Sequence, residues 1–333
     1  MNIKDVAKMA GVSISTISRV INNSAYVSPE IKEKIEKILA ETGYRPNSLA
    51  KELLRNKTNT IGVMLPRIDL GTFAAMFDGI VTVLNENGYN ILLANTRDQL
   101  EEEVRYLNLF HEKRVDGVLY FATGINPQHV EAISKFHKPV VIVGQSGAYV
   151  GCPSVRLDNF EAARAMVNYL ISLGHRRIGC LSVVDYDVNI GILRKQGYLA
   201  ALEENNIAID PSLVITGDFE YISGERGAKA LMENPGGLPT VVYCITDRLA
   251  IAACGWFLRQ GIRVPEDISV ACVDDPGLLS FCYPSITTMS FDYQLTGMRA
   301  GQMVIDCIDG KKPRPDETVM PFTMQIRESV RAL

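Results

Sequence analysis

Along the first fifty-odd residues the apolar positions fall three and four apart, the spacing of helices with one buried face. Ile3, Val6, Ala7 and Ala10 share such a face. Gly11 stands where a chain leaving a helix needs a positive φ, and Val12 fits the corner behind it. Ser13 suits the N-cap of a second helix, Ile14–Asn22, whose Ile17, Val20 and Ile21 turn inward. A third helix begins with Ser28 as N-cap and Pro29 at the first helical position, buries Ile31, Ile35, Ile38 and Leu39, and stops at Gly43. Two short helices about a tight glycine turn make a helix-turn-helix. The outward face of the second carries Ser15, Thr16, Ser18, Arg19 and Asn22. A merely solvated face is usually Glu and Lys, as at Lys32–Lys37; short polar groups with one Arg suit base edges in a DNA groove. After Tyr44-Arg45-Pro46 comes a pattern of about two turns capped by Asn47, too short to hold alone and expected to fold on docking.

From Thr58 the rhythm changes. Apolar runs at Ile61–Leu65, Ile91–Ala94, Gly117–Phe121 and Val140–Val143 alternate with amphipathic stretches near Phe73–Asn87, Leu100–Glu112 and His129–Phe136. The rhythm restarts at Phe160–Leu173 and continues through Arg177–Val183, Gln196–Asn205, Ser223–Met232, Val241–Ile245, Leu249–Gln260 and Ile268–Val273. Continuous Val/Ile/Leu strands separated by helices predict doubly wound parallel sheets, here in two copies with a cleft between them. Ligands of such sheets bind beyond the carboxyl ends of the strands. That places Arg67, Asp69 and Phe73, then Gln145 and Ser146, the Tyr186–Arg194 stretch, Phe219, Thr246 with Asp247, and Asp274 with Asp275 among the candidates. Aromatic rings, carboxylates and an Arg suit a sugar, whose ring face is apolar and whose rim is hydroxylated. Several of these have structural readings too. Asp247 suits a helix N-cap, Asp275 starts a turn at Pro276, and Arg194 is either a ligand contact or an ion pair between the lobes.

The net charge of −4 hides an asymmetry. Residues 1–57 hold ten Lys/Arg against six Asp/Glu, net +4, and the remainder holds 24 against 32, net −8. A basic head on an acidic body points to a polyanion partner for the head alone. The seven cysteines lie beyond residue 150 without C-x-x-C spacing, and Cys180, Cys244 and Cys272 fall inside strands, so buried thiols in a reducing cytoplasm are expected. The four His show no metal-ligand spacing, and no cofactor or metal is expected. No apolar run is long enough for a membrane span, and the first residues lack the pattern of a secretory leader.

Asp5-Val6-Ala7, Ala10-Gly11-Val12-Ser13, Thr16-Ile17-Ser18-Arg19-Val20-Ile21-Asn22 and Tyr44-Arg45-Pro46-Asn47 together resemble the N-terminal signature of LacI/GalR-family bacterial transcription regulators. The likeness extends over the chain to Thr287-Thr288 and the tail Ile326-Arg327-Glu328-Ser329. It implies an all-α helix-turn-helix head over residues 1–46, a hinge helix over 47–57, and a periplasmic-binding-protein-like α/β body over 58–333. The body's lobes would be 58–155 with 286–315, and 156–285 with 316–333. It further implies that Ile14, Ser15, Ser18, Arg19 and Asn22 read the major groove with Ile3 and Tyr26 nearby, while Ala50 and Leu53 of the hinge enter the minor groove. Phe219, Thr246 and Asp274 match effector-contacting positions, and Arg194 a shared Arg. The chain departs from many relatives at Gly144-Gln145 and Thr246, and Phe291 stands where the lactose repressor is polar. Pro66–Asp69 and Asp187–Arg194 look more like the sucrose and trehalose operon repressors.

The expectation is a cytoplasmic homodimeric repressor of a carbohydrate operon, released from a palindromic double-stranded operator by a sugar or sugar phosphate. A purine- or protein-co-repressed regulator is the alternative, with a sugar-binding protein or an enzyme more remote. No dinucleotide fingerprint follows a strand, no phosphate-binding loop is present, and Gly144–Ala148 lacks the last glycine of a nucleophile elbow, so no enzyme is expected. No leucine heptads follow the body, which favours a dimer over a tetramer.

Overall fold

The computed structural model describes residues 2–22, 25–43, 57–311 and 316–333. They form two compact units divided between Thr58 and Asn59. In the head, α1 (Ile3–Ala10) is closed by a reciprocal cap: the Asn2 side chain accepts from the Lys4 and Asp5 amides at 2.9 and 3.2 Å, and Asp5 accepts from the Asn2 amide at 2.9 Å. Gly11 has φ +69° and ends α1. Helices α2 (Ile14–Asn22) and α3 (Pro29–Thr42) follow. Val6, Ala7, Ala10, Ile17 and Ile35 form the core, packed by Ile3, Val12, Val20, Ile21, Ile31, Ile38 and Leu39. Ser28 occupies the N-cap position of α3 but its side chain makes no capping bond; Pro29 sets the start instead. The expected hinge residues Asn47, Ala50 and Leu53 lie outside the described residues.

The body holds two six-stranded sheets of one strand order. The first contains β1 (Thr60–Leu65), β2 (Asn90–Asn95), β3 (Gly117–Phe121), β4 (Val140–Gly144), β5 (Ser154–Leu157) and β11 (Glu317–Met320), in the order β2-β1-β3-β4-β5-β11. The second contains β6 (Ile178–Val183), β7 (Val214–Gly217), β8 (Val241–Cys244), β9 (Ser269–Val273), β10 (Thr287–Phe291) and β12 (Phe322–Gln325), in the order β7-β6-β8-β9-β10-β12. All pairings are parallel except β10 with β12, which is antiparallel, so the second sheet departs from the expected all-parallel arrangement at its edge. Helices α4 (Gly71–Glu86), α5 (Leu100–Glu112), α6 (Pro127–Ser134) and α11 (Tyr293–Ile308) cover the first sheet. Helices α7 (Asn159–Ser172), α8 (Arg194–Glu204), α9 (Tyr221–Met232) and α10 (Asp247–Arg259) cover the second.

The chain crosses between lobes three times, near 158, 292 and 321, each a few residues later than expected. Thr287–Phe291, assigned from sequence to the first lobe, is a strand of the second, and Glu317–Met320 is a strand of the first. The reason is pairing: a strand already registered with its neighbour, as Thr287 with Ala271, runs to its end before the chain leaves. All three crossings therefore fall at strand ends. Helices α4 and α11 meet backbone to backbone, since a Cβ on Gly79 would lie 2.1 Å from the Gln294 carbonyl oxygen and one on Gly297 1.8 Å from that of Met76. That contact fixes Met76 and Tyr293 at the cleft. Five cysteines, Cys180, Cys244 and Cys272 among them, are buried thiols, and burial pushes Cys180 up to about 12. Among the described residues no helix is long and apolar enough to cross a membrane.

Candidate functional site

Two surfaces collect the candidate residues. On the head, α2 turns its polar face outward because Ile17 is fully buried on the other side. Ser13 organises the first turn: its Oγ lies 2.6 Å from Ser15 Oγ and 2.9 Å from Thr16 Oγ1, and it accepts from the Thr16 amide at 3.2 Å. Ile14, Ser15 and Arg19 are exposed, Thr16 and Ser18 half-buried, and Tyr26 beyond the helix is 87% exposed. Ile3 is half-buried against the head's core. The side chain of Asn22 lies outside the described residues.

In the body, a cavity opens between the lobes at the carboxyl ends of the strands. Phe73, Met76, Phe121, Val143, Leu157 and Ile190 make its apolar wall, with the Phe73 and Phe121 rings edge to face at 5.8 Å. Its polar wall is built around a buried guanidinium. Arg194 donates from Nε to Asn159 Oδ1 at 2.8 Å, from one terminal nitrogen to the Ile245 carbonyl at 2.6 Å, and from both terminal nitrogens to Asp274 at 2.7 Å. Tyr293 donates to the same carboxylate at 2.6 Å. Burial works against the charge on Arg194, and the Asp274 carboxylate more than offsets it, so the guanidinium stays protonated. Asp274 holds a left-handed φ of +82°, fixed by its amide donating to the Met289 carbonyl and by Thr288 Oγ1 donating to its own carbonyl. The ion pair lies within the second lobe, so the interlobe reading of Arg194 is corrected: Arg194 opens α8 and Asp274 follows β9, both of the second lobe.

Asp187 caps a π-helical turn, Val188–Leu193, accepting from the Ile190 amide at 2.8 Å. Burial raises its carboxyl to about 6. The same turn bridges the cleft, the Val188 amide donating to the Thr123 carbonyl at 3.1 Å and Asn189 Nδ2 to that of Ala122 at 3.2 Å.

A smaller hollow adjoins, sharing Thr72, Ile190 and Asp274 with the first and adding Phe219, Thr246, Asp247 and Arg248. The N-cap of α10 is Thr246, not Asp247, and its side chain makes no capping bond. Thr246 Oγ1 is buried without a hydrogen-bond partner. Asp247 opens the helix, and burial, then the Asp274 charge, raises its carboxyl to about 6.

At the mouth, Arg67 donates to Asp69 at 3.0 and 2.7 Å and to Glu220 of the opposite lobe at 2.6 Å. Arg248 donates back across the cleft to the Asp69 carboxylate at 3.1 Å and to its carbonyl at 2.5 Å. The Arg67 hydrogen bond holds the Asp69 carboxyl down to about 2.

Phe73, Arg194 and Asp274 thus line the larger cavity, and Phe219, Thr246 and Asp274 the smaller. Arg67 and Asp69 form a clasp at the mouth instead. Gln145 lines neither cavity and donates to the Ala122 carbonyl at 3.1 Å. Phe291 is core, its ring 6.2 Å from those of Tyr293 and Phe322, because β10 turns it toward the antiparallel edge strand rather than the cleft. Sequence reasoning missed Asn159 and Tyr293. A signal was there: each follows an Asp that caps a helix at a lobe crossing, Asp158 for α7 and Asp292 for α11, and helices starting at a crossing start at the cleft.

A helix-turn-helix head and a twice-built α/β body with a buried interlobe cavity define a ligand-responsive DNA-binding protein. Residues 2–47 match the family "Bacterial regulatory proteins, lacI family", and residues 167–330 match "Periplasmic binding protein-like domain". The chain is 32% identical over 330 residues to the HTH-type transcriptional repressor CytR of Escherichia coli (strain K12), covering 99% of this chain and 96% of that one. Its fold is similar to the lac repressor dimer bound to operator and the anti-inducer ONPF, with a TM-score of 0.89, 26% identity, and 100% and 99% of the two chains covered. It is also similar to a transcriptional regulator CelR–cellobiose complex, with a TM-score of 0.74, 28% identity and 99% of each chain covered. The chain belongs to the LacI family of bacterial transcriptional regulators. The family consists of DNA-binding regulators rather than enzymes.

Proposed function

We propose that the chain is a homodimeric, cytoplasmic repressor of a carbohydrate-utilisation operon, released from a near-palindromic operator when a sugar or sugar phosphate binds between its lobes. The observation that carries this reading is the outward face of α2, a row of short hydroxyl side chains ending in exposed Arg19 on a helix whose other face is locked into the head's core. Ile14, Ser15, Thr16, Ser18, Arg19 and Asn22 would read base edges, with Arg19 suited to the two acceptors of a guanine. One helix reads one half-site, so a dimer and an inverted repeat follow. The body supports the dimer through the segment 278–283, where Phe281 and Tyr283 are 84% and 88% exposed, apolar surface that a second copy would cover. Effector binding couples to the operator only by the difference in its affinity for two lobe orientations.

The test is selection of bound duplexes from a random library by the full chain. An inverted repeat with fixed half-site spacing is the expected yield. Recovery of unrelated sequences would remove sequence-specific repression.

A further inference from the structure

The charge of the effector is written in the cavity walls. Arg194 and Arg248 are the cationic side chains among the residues lining the two joined cavities, and no Lys or His lines either. Arg194 has four of its five N–H bonds committed to Asn159, Ile245 and Asp274. Arg248 is held by Asp69 and stacked over Tyr221 at 5.2 Å. Arg67 is committed to Asp69 and Glu220 and sits at the mouth. Against these cations stand Asp187, Asp247 and Asp274, all facing the same space. A phosphate or carboxylate entering there would lose its water and meet carboxylates, with each nearby guanidinium already engaged.

An uncharged hydroxyl suits the same walls, because it both donates and accepts. It can donate to Asp187, Asp247 or Asp274. It can accept at the starts of α4 and α10, where neither helix is capped by a side chain and where Thr246 Oγ1 is 95% buried with no partner. The wall of Phe73, Phe121 and Met76 takes the apolar face of a ring.

We propose that the effector is an uncharged polyhydroxyl compound, and that Asp187 and Asp247 are the specificity residues that exclude its phosphorylated and carboxylated counterparts. This rests on reading the interlobe cavity as the effector site. Discrimination would then come from repulsion of the wrong ligand as well as attraction of the right one.

The experiment titrates the full chain, by calorimetry and thermal shift, with matched probes: ribose against ribose 5-phosphate, glucose against glucose 6-phosphate and gluconate, and cellobiose as a larger uncharged probe. An uncharged probe should bind, and its charged counterpart should bind about tenfold or more weakly, the effect of roughly one pKa unit of repulsion. In Asp187→Asn, which keeps an oxygen for the Ile190 amide, that gap should shrink severalfold. Asp247→Asn provides the same test at the first turn of α10. A charged member that binds as well as its neutral partner, or a gap unchanged in both variants, overturns the charge assignment and leaves the effector cavity standing. Silence from every probe, with DNA binding intact, overturns the cavity reading and this inference with it.

Discussion

The outward face of α2 and the wall of the interlobe cavity hold their polar groups in opposite ways. On α2 the hydroxyls of Ser13, Ser15 and Thr16 bond to one another at the surface, and Arg19 stands exposed. In the cavity, Arg194 is 1% exposed and tied to three residues, one of them an ion pair. The head separates stability from the surface proposed to read DNA: Ile17 and Ile35 hold it together from within while the polar face of α2 points outward. The body merges the two, because the groups that line its cavity also tie α7, β9 and α11 into one network through Asn159, Asp274 and Tyr293. Substitutions in the head should therefore alter binding without altering stability, and substitutions in the cavity should alter both.

The largest effect is expected at Arg194→Ala. It leaves the Asp274 carboxylate buried beside Tyr293 without its counter-ion, and breaking a buried pair from one side costs about 3–5 kcal/mol. Denaturant unfolding should show that loss in the body's transition. An unchanged midpoint would mean that Asp274 finds solvent or another donor, and the merged role would fail. Arg19→Ala should behave oppositely. Loss of a bidentate base contact costs about 1–3 kcal/mol of discrimination between operator and random duplex, with unfolding unaltered. A loss equal on both DNAs would make Arg19 a phosphate contact instead.

The same contrast explains what the chain's pattern disclosed. The head was legible nearly to the residue, since its core spacing, Gly11 turn and polar face are local features of one short segment. Seven of the body's strands and every one of its helices but α11 were legible too, because buried parallel strands need continuous apolar runs, while β5, β7, β10, β11, β12 and α11 were not. The lobe crossings came out a few residues late, because strand register with distant partners decides where a strand ends. The cavity was legible by loop, not by role. That Arg67 would reach Glu220, 153 positions away, follows from how the lobes close and not from either loop. Nor does spacing tell that His129 lies 2.7 Å from Glu103 in a buried pair that also takes the Tyr120 hydroxyl.

A pH series sharpens the comparison further, since the cavity holds two buried carboxyls whose values are raised by their burial. Asp187 and Asp247 have folded values raised to about 6, above the ordinary carboxylate value. Between those limits the folded state binds more protons than the unfolded state. Their contribution to stability is thus fully present below about pH 4 and is lost as pH rises through about 6. Asp187→Asn removes one such group, so it should gain stability relative to the parent as pH rises, by on the order of 2 kcal/mol at pH 7.5. Parallel curves for parent and variant from pH 4.5 to 7.5 would show that Asp187 ionises freely.

The smallest effect is expected at the clasp, where cavity and solvent meet. Asp69 and Glu220 are about half exposed, so each pair with Arg67 or Arg248 is screened and worth about 0.2–1 kcal/mol. Its weakness fits a part that must open for a ligand to enter. A double-mutant cycle of Arg67→Met and Glu220→Gln should give a coupling energy in that range at low salt, falling toward zero near 1 M, where the Debye length is about 3 Å. Because Arg67 and Glu220 sit on opposite lobes, the same cycle read on ligand association should show faster entry when the pair is cut, with the body's unfolding midpoint nearly unchanged. A coupling that survives high salt, or a midpoint that falls as far as in Arg194→Ala, would place the clasp with the buried network rather than with the exposed face of α2.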